Sequence, residues 1–319
     1  MKFFLRLLTL CVILTSSLTA LAEKKNLHAV TLPAHSAQTL AGDSPIRDLA
    51  LDPTTNYVWL LGKTYLWQWN VADRKLSKIA FRKHFSECNS GSERIQVTEQ
   101  AIIVYNDCHV VIVDPKGRQA NTIVHPANAS QGQTIAVEAD EKRLAWFHTA
   151  GSFIFSTEDG SIQSMFKGVP FGAKDLVVYD LAEKKSWYVK DMLLFEKNFA
   201  TNTDSRLLYK AEAKPVLVKR NAGKLYLATE NEVILFSSKT GDLLQQIPVK
   251  NSKRLLSLSQ NGEGDSYLFS DGLVEVYNKK GTMDFFFLEE GIKNLTAAEI
   301  RGPLVSLLSG GVPRLYTLQ

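Results

Sequence analysis

Cysteine is scarce in this sequence, and neither sign of charge is in clear excess. Of the three cysteines, Cys11 lies in the first 22 residues, which leaves Cys88 and Cys108 as the one pair in the rest of the chain. Lys and Arg outnumber Asp and Glu by only 37 to 33, and two of the 37, Lys2 and Arg6, also lie in the first 22 residues. Because nucleic-acid-binding proteins usually carry an obvious basic excess, we expect no nucleic-acid partner.

Long apolar runs and helical periodicity are also missing. No stretch reaches the ~20 apolar residues of a membrane helix. The short run Leu7–Leu14 follows Lys2 and Arg6, and Ala20-Leu21-Ala22 supplies the small residues of a cleavage site. This pattern predicts a signal peptide over residues 1–22, cleavage after Ala22, a location in the periplasm or outside the cell, and no integral membrane segment. After residue 22 we predict no helix.

Catalytic motifs are absent as well. The six histidines form no HxH, HxxxH or HExxH spacing, and no GxSxG motif or phosphate-binding glycine loop occurs. We therefore predict no catalytic residue, no metal site and no cofactor. Two sets of loop residues remain as alternatives: a metal or acid–base site of His35, His84, His125 and His148, and a calcium site of Asp43, Asp48, Asp107, Asp175 and Glu290.

What the sequence does have is a repeat of about 40 residues. A strand that ends in a tight polar turn recurs as VVIVDPKG to Gly117, FIFSTEDG to Gly160, VILFSSKTG to Gly241 and VEVYNKKG to Gly281. Degenerate copies end at Asp73 and Asp204. Glycine, asparagine and aspartate suit these turns because the backbone there often needs φ > 0. A repeat of this length built from short strands is typical of propeller blades.

Each repeat predicts four antiparallel strands, which we label A to D from the central axis outward. Strand A is predicted to start near Ile46, Ile95, Ile135, Leu176, Val216, Leu255 and Leu295. The last unit ends after strand C, and LHAVTLP near the N-terminus can supply its missing outer strand. The fold class predicted is therefore all-β: a seven-bladed β-propeller closed by N-terminal strand pairing into the last blade, a single domain over residues 23–319.

This arrangement predicts the contacts of two groups of side chains. Cys88 falls in a D-to-A loop and Cys108 in a B-to-C turn, on one face of the second blade, so a Cys88–Cys108 disulfide is expected in an oxidising compartment. The aromatic residues of the first blade recur at alternating positions, which predicts that they pack between blades: Tyr57, Trp59, Tyr65, Trp67 and Trp69.

The fifth repeat resembles those of the pyrroloquinoline-quinone-like and YVTN-type propellers of bacterial envelopes. The resemblance covers the strand Leu225–Thr229, the strand Val233–Phe236 and the turn Thr240-Gly241. It implies a propeller of the cell envelope. The quinone cofactor does not follow, because Leu243-Leu244-Gln245 stands where such repeats usually carry a tryptophan, and no adjacent cysteine pair exists.

Basic residues recur where the chain turns into strand A. They are Arg47, Arg94, Lys174, Lys214, Lys253 and Lys293. They predict either solvated strand ends or a positive ring at the channel mouth that binds an anionic ligand. The function predicted is thus an exported, non-catalytic binding or scaffold module whose partner is an envelope protein or an anionic ligand. A calcium-dependent lactonase-like hydrolase is the main alternative, and a quinone-dependent dehydrogenase ranks third.

Overall fold

The computed structural model describes residues 27–318, except for 54–56, 81–92, 99–100, 115–119, 126–131, 141, 167–175, 200, 202–203, 222, 250–254, 261–264, 271–272, 279–281, 289–291 and 293. This part of the chain contains 28 strands and one helix, α1, at Ala34–Ala41.

The strands are numbered β1 to β28 in chain order. They are Leu27–Ala29, Asp48–Leu51, Tyr57–Leu61, Tyr65–Asn70, Lys75–Ala80, Arg94–Val97, Ile102–Tyr105, His109–Val113, Ala120–Val124, Thr134–Ala139, Arg143–His148, Ser152–Ser156, Ile162–Phe166, Val177–Asp180, Lys185–Lys190, Leu193–Asn198, Arg206–Lys210, Pro215–Asn221, Lys224–Thr229, Glu232–Ser237, Leu243–Pro248, Leu255–Gln260, Ser266–Ser270, Leu273–Tyr277, Met283–Leu288, Leu295–Arg301, Leu304–Ser309 and Val312–Leu318.

These strands form seven four-stranded antiparallel sheets. Sheets 1 to 6 each take four consecutive strands, from β2–β5 to β22–β25, and sheet 7 has the order β1-β28-β27-β26. The first strands begin at residues 48, 94, 134, 177, 215, 255 and 295, each within two residues of its predicted start. The all-β class is confirmed.

Successive residues of a strand point to opposite faces of its sheet, and in these sheets both faces carry buried apolar residues. In sheet 1, Leu60 lies opposite Trp67 on one face, whereas the next residue, Leu61, lies opposite Leu66 on the other. The glycines at two of the predicted turns have the positive φ that such turns often need. Gly160 and Gly241 have φ values of +74° and +78°, a backbone conformation that residues with a side chain seldom adopt.

The core is divided into seven apolar clusters, each between two sheets. Trp59 packs with Ile102 and Val104 between sheets 1 and 2, and the five other neighbouring pairs along the chain are joined in the same way. The remaining cluster joins the two ends of the chain, because Trp67 and Trp69 of sheet 1 pack with residues of β27 and β28. The prediction that these tryptophans pack between sheets is confirmed.

The N-terminal strand lies along the outer edge of sheet 7. Leu27 lies opposite Leu318, and Ala29 lies opposite Tyr316. One bond continues the pairing, as the Val30 N–H donates to the Leu315 carbonyl at 2.8 Å. The last three-stranded unit of the chain is thus completed by a strand from its beginning.

The expectation of no helix after residue 22 is wrong, because α1 occupies residues 34–41. The helix has only eight residues, too few for a periodic apolar pattern to stand out in a window of 11–18 residues. Ala37, Leu40 and Ala41 stand at the i, i+3, i+4 spacing of one helical face, and only Leu40 is buried. Pro33 directly precedes the first turn, where proline is well tolerated.

Cys108 lies in the turn between β7 and β8 and is disulfide-bonded. The Asn106 side chain holds this turn by accepting the backbone N–H groups of Cys108 at 2.9 Å and His109 at 2.8 Å. Cys88 lies outside the described residues, so the Cys88–Cys108 pairing stays a prediction.

Removing the N-terminal strand should destabilise the whole fold. A chain that begins at residue 34 lacks β1 together with Val30 and Leu32, which pack on the cluster between sheets 1 and 7. We expect its melting temperature to fall by more than about 5 °C relative to a chain that begins at residue 23. A chain that begins at residue 27 keeps β1 and is the matched control. Loss of about 2 °C or less from the first truncation would contradict this role for β1.

The predicted disulfide can be tested by peptide mapping. Non-reduced protein from the periplasm or medium should yield one linked peptide containing Cys88 and Cys108. Because the bridge closes a loop of about 20 residues, its loss should cost about 3 kcal/mol in the chain-entropy model. Cys88→Ser, Cys108→Ser and the double variant should therefore be destabilised equally. Two free thiols in the exported protein would refute the pairing.

Candidate functional site: the central channel and its mouth

The first strands of the sheets lie around one axis and line a central channel. Contacts join β10 to β14, β14 to β18, β18 to β22 and β22 to β26, while β2 contacts both β6 and β26. Side chains of non-neighbouring sheets also influence each other across this space, as Lys219 of β18 and Glu299 of β26 do. We call the end of the channel where the first strands begin the mouth. The face around it, which carries the Cys108 turn, is the cysteine face.

Two carboxylates bridge the first strands of adjacent sheets. Asp48 Oδ2 accepts the backbone N–H of Ile95 at 3.1 Å, and Glu299 Oε2 accepts the backbone N–H of Leu51 at 2.9 Å. An inner edge strand otherwise presents such N–H groups without a partner. The two bonds therefore tie sheet 7 to sheet 1 and sheet 1 to sheet 2. Burial raises the pKa of Asp48, although its backbone bond to Ile95 and the nearby Arg94 oppose that shift.

A second cluster spans sheets 3, 4 and 5. The Arg220 guanidinium lies 2.7 Å from the carboxylate of Asp180, whose side chain is almost fully buried. Glu138 of sheet 3 faces this pair. Burial raises the pKa of Glu138 to about 7; Arg220 acts against the shift and Asp180 adds to it. A carboxyl group that titrates near neutrality therefore lies beside a fixed ion pair.

A third cluster lies across the channel between sheets 5 and 7. The Arg301 guanidinium donates to Glu299 Oε1 at 3.2 Å. Burial lowers the pKa of Lys219, an effect that Glu299 opposes and Arg301 reinforces. The same carboxylate thus accepts a backbone bond from sheet 1, pairs with Arg301 and favours the charged form of Lys219.

The described lining therefore carries both signs of charge in equal number. Its acidic members are Asp48, Glu138, Asp180 and Glu299, and its basic members are Arg94, Lys219, Arg220 and Arg301. With every carboxylate ionised these charges cancel, so the lining gives no field of one sign. Of these eight residues, only Arg94 was predicted from the sequence to lie at the channel. The available signal was the charged residues inside otherwise apolar first strands, such as TIAVEA and PVLVKRN.

Three of the six predicted basic residues lie in the described part of the chain. Arg47 pairs with the carboxylate of Glu93, which is completely buried where the chain enters sheet 2. Arg94 is exposed and donates to the Glu93 carbonyl at 3.2 Å. Lys214 is exposed just before β18. Lys174, Lys253 and Lys293 lie outside the described residues.

The structure brings His125 and His148 together, with ring centroids 4.1 Å apart. His148 Nδ1 accepts the Ala150 N–H at 3.0 Å, so Nε2 carries the proton and donates to the Asp107 carbonyl at 3.0 Å. Burial, reinforced by His125, lowers the pKa of His148 to about 4. The His125 backbone N–H donates to the Cys108 carbonyl at 3.0 Å. Both histidines thus hold the Cys108 turn. His35 lies exposed on α1, and His84 lies outside the described residues.

The loop carboxylates proposed for calcium are occupied with hydrogen bonds where the structure describes them. Asp43 Oδ2 accepts the Trp67 indole N–H at 2.8 Å, and Asp107 Oδ1 accepts the first backbone N–H of β10 at 2.8 Å. Asp175 and Glu290 lie outside the described residues. Within the described ranges, no three His, Cys, Asp or Glu side chains are grouped so that they could hold a metal ion.

Comparisons with known proteins identify the fold and no family. No protein-family model matches the chain, and no curated protein does. Among solved structures, virginiamycin B lyase from Staphylococcus aureus with quinupristin is 10% identical, covers 93% of this chain and 100% of its own, and superposes with a TM-score of 0.68. Kluyveromyces lactis Hsv2 is 11% identical and has a TM-score of 0.59; the match covers 83% of this chain and 90% of Hsv2.

PorZ of the Porphyromonas gingivalis type-IX secretion system is also similar. It is 11% identical with a TM-score of 0.62, and the match covers 86% of this chain and 36% of PorZ. The chain is a β-propeller. At 10–11% identity these similarities establish the architecture alone. In the ranges the structure describes, no helix is long and apolar enough to cross a membrane.

The raised pKa of Glu138 predicts a specific pH dependence of stability. Between its ordinary value of 4.5 and about 7, the folded state holds a proton that the unfolded state has lost. The free energy of unfolding contributed by this group is therefore highest below pH 4.5 and declines as the pH rises through about 7. Glu138→Gln stays neutral and should lack that decline, so it should gain stability relative to the wild type over this window.

Denaturant titrations over the same pH range measure this difference. The lowered pKa of His148 acts oppositely, since a buried neutral imidazole makes stability rise with pH between about 4 and its ordinary 6.5. The quantity to compare is therefore the difference in the free energy of unfolding between variant and wild type at each pH, in which the contribution of His148 cancels. Glu158→Gln, at an exposed turn between β12 and β13, is the control. Parallel curves for Glu138→Gln and the wild type would show that Glu138 is ionised throughout.

Proposed function

We propose that this protein is an exported, non-catalytic β-propeller that binds an envelope protein segment or an anionic ligand through its cysteine face. In this proposal residues 1–22 are removed as a signal peptide, and residues 23–319 act in the periplasm or outside the cell without a cofactor. The basic start, the short apolar run Leu7–Leu14 and the Ala20-Leu21-Ala22 site support export.

The proposal also takes the seven sheets as seven blades of one ring that the N-terminal strand closes. The pairing of β1 with β28 and the packing of sheet 7 on sheet 1 support this arrangement. Closure matters for binding, because it brings the starts of all seven first strands to a single mouth. A ligand there meets side chains from several blades at once.

The observation that carries the proposal is that the Arg94 and Lys214 side chains are exposed and form no ion pair in the described part of the chain. Both side chains are exposed at the starts of first strands. Neither forms an ion pair within the described part of the chain. Cations that were only polar ends of strands would be expected to pair with a carboxylate of their own sheet.

Arg47 differs, since the buried Glu93 carboxylate neutralises it. The cations without an ion pair in the described part of the mouth therefore come from sheets 2 and 5, and of these Arg94 also acts electrostatically on the Asp48 carboxylate. If Lys174, Lys253 and Lys293 stand beside them at the mouth, the fields of these cations add where low-dielectric walls surround the opening. Salt limits the reach of such a field to a Debye length of about 8 Å, so the ligand must dock at the mouth itself.

One structural neighbour agrees with an envelope role. PorZ is described as an essential bacterial surface component of a secretion system, and this chain shares the fold of about a third of it. The mitotic checkpoint complex is itself a protein assembly, and this chain matches one of its chains at 10% identity with a TM-score of 0.63.

Charge reversal at the mouth tests the proposal. The Arg94→Glu, Lys214→Glu double variant should capture its principal partner from native envelope extract about tenfold less than the wild type, because like charges are then opposed. Its unfolding must be measured alongside, because Arg94→Glu also removes the cation that favours the ionised form of the Asp48 carboxylate. Capture by the wild type should also weaken as salt is raised.

The matched control reverses Lys142 and Lys239, which are exposed in turns at the opposite end of the blades. It makes the same change in net charge far from the mouth. Capture that survives in the mouth variant, or falls equally in both variants, would contradict binding at the cysteine face.

A further inference from the structure

A cavity of about 570 Å³ lies between α1, the end of β1 and the beginning of β28. Its walls are mainly apolar and include Val30, Leu32, Leu40, Ile46, Pro313 and Leu315. We call it the α1 groove. Its size falls within the range of small-molecule sites, which is roughly 300–1,000 Å³.

The groove exists because the outer strand of sheet 7 stops early. β1 has three residues, whereas β28 has seven and extends back to Val312. After Val30 the chain leaves the sheet edge to form α1, which buries only Leu40 in the core. Among the described residues, no strand therefore covers the edge of β28 next to Pro313. Since proline has no N–H, this edge is a poor template for an added peptide strand, which favours a compact ligand instead.

Trp69 is a residue of the groove lining with an unsatisfied hydrogen-bond donor. Its side chain lines the groove and is 3% exposed. Its indole nitrogen has no hydrogen-bond partner within the described part of the chain. Buried indole N–H groups normally find an acceptor. Trp146 and Trp187 do so here, donating to Thr134 at 3.0 Å and to Glu196 at 3.1 Å.

The charge of the groove points to the sign of its ligand. Arg314 is the one charged residue of the lining, which contains no aspartate or glutamate. Its guanidinium forms no ion pair with any residue in the described ranges. A cation with no counter-charge beside an apolar wall suits an organic anion.

We propose that the α1 groove binds a small amphiphilic carboxylate. The apolar body of the ligand packs against the walls of the groove, a carboxylate oxygen accepts the Trp69 indole N–H, and Arg314 offsets the negative charge. This site lies at the outer edge of sheet 7 and uses none of the basic residues of the channel mouth, so it goes beyond the function proposed above.

Indole N–H resonances give a direct test, with n-octanoate as the probe. The chain has five tryptophans, so protein labelled with ¹⁵N-tryptophan should show five indole signals. Octanoate should shift the signal that is missing from Trp69→Phe, with saturation, and should leave that of Trp59 in place. Trp59→Phe is the matched control, since the Trp59 indole N–H is also unpartnered but packs between sheets 1 and 2.

Variants of the groove separate the parts of the proposal. Arg314→Gln and Trp69→Phe should each weaken octanoate binding by about tenfold, and Arg314→Gln should leave the binding of n-octanol unchanged. Ala37→Phe places a ring over the groove from an exposed helix position and should abolish binding without disturbing the core. The Arg94→Glu, Lys214→Glu variant should bind octanoate like the wild type, which keeps this test separate from that of the mouth.

Three results would overturn the proposal. One is a Trp69 signal that does not move with octanoate. Another is unchanged octanoate affinity in Arg314→Gln and Ala37→Phe. The third is a Trp69 signal that moves with protein concentration instead, since a second copy of the chain would then cover the groove.

Discussion

The packing of each sheet between two neighbours is the constraint on which the rest of the structure depends. Successive residues of a strand point to opposite faces, so Trp59 is buried toward sheet 2 while Leu60 is buried toward sheet 7. Each sheet contributes apolar residues to two of the clusters, one on each of its faces. Sheets 1 and 7 can bury their remaining faces only against each other, and the channel and its mouth follow from that contact.

The strand pattern was predictable because it is local. Alternating apolar residues and polar turns fix the strands, and the seven first strands begin within two residues of their expected positions. The helix α1 was missed because eight residues with one buried side chain leave little periodic signal. Arg47 was found as a basic residue at a strand start, but its partner was not, since Glu93 precedes a different sheet. The lining was missed for the same reason: Glu138 and Arg220 belong to sheets that are not even adjacent.

The short outer strand links the architecture to a binding surface. β1 must be long enough to pair with β28 from Leu318 to Tyr316, yet it leaves that edge near Val30. The chain must then travel from the outside of sheet 7 to the axis, where β2 begins, and α1 makes this crossing over the cysteine face. This connection runs over residues 30–47, and its helix buries only Leu40, so it leaves the space beneath it unfilled. The α1 groove is thus a consequence of completing the last sheet from the opposite end of the chain.

The lining and the mouth of the channel have different electrostatic roles. With all carboxylates ionised, the described lining is neutral, and its charges are used to hold first strands together, as Glu299 does through Leu51 and Arg301. Glu138 is the exception, because its pKa of about 7 lets it lose its charge near neutrality. When it is protonated, Arg220 and the other three bases of the lining face three acids. The lining then becomes net positive, so under the proposed function an anion at the cysteine face should bind more strongly as the pH falls below about 7.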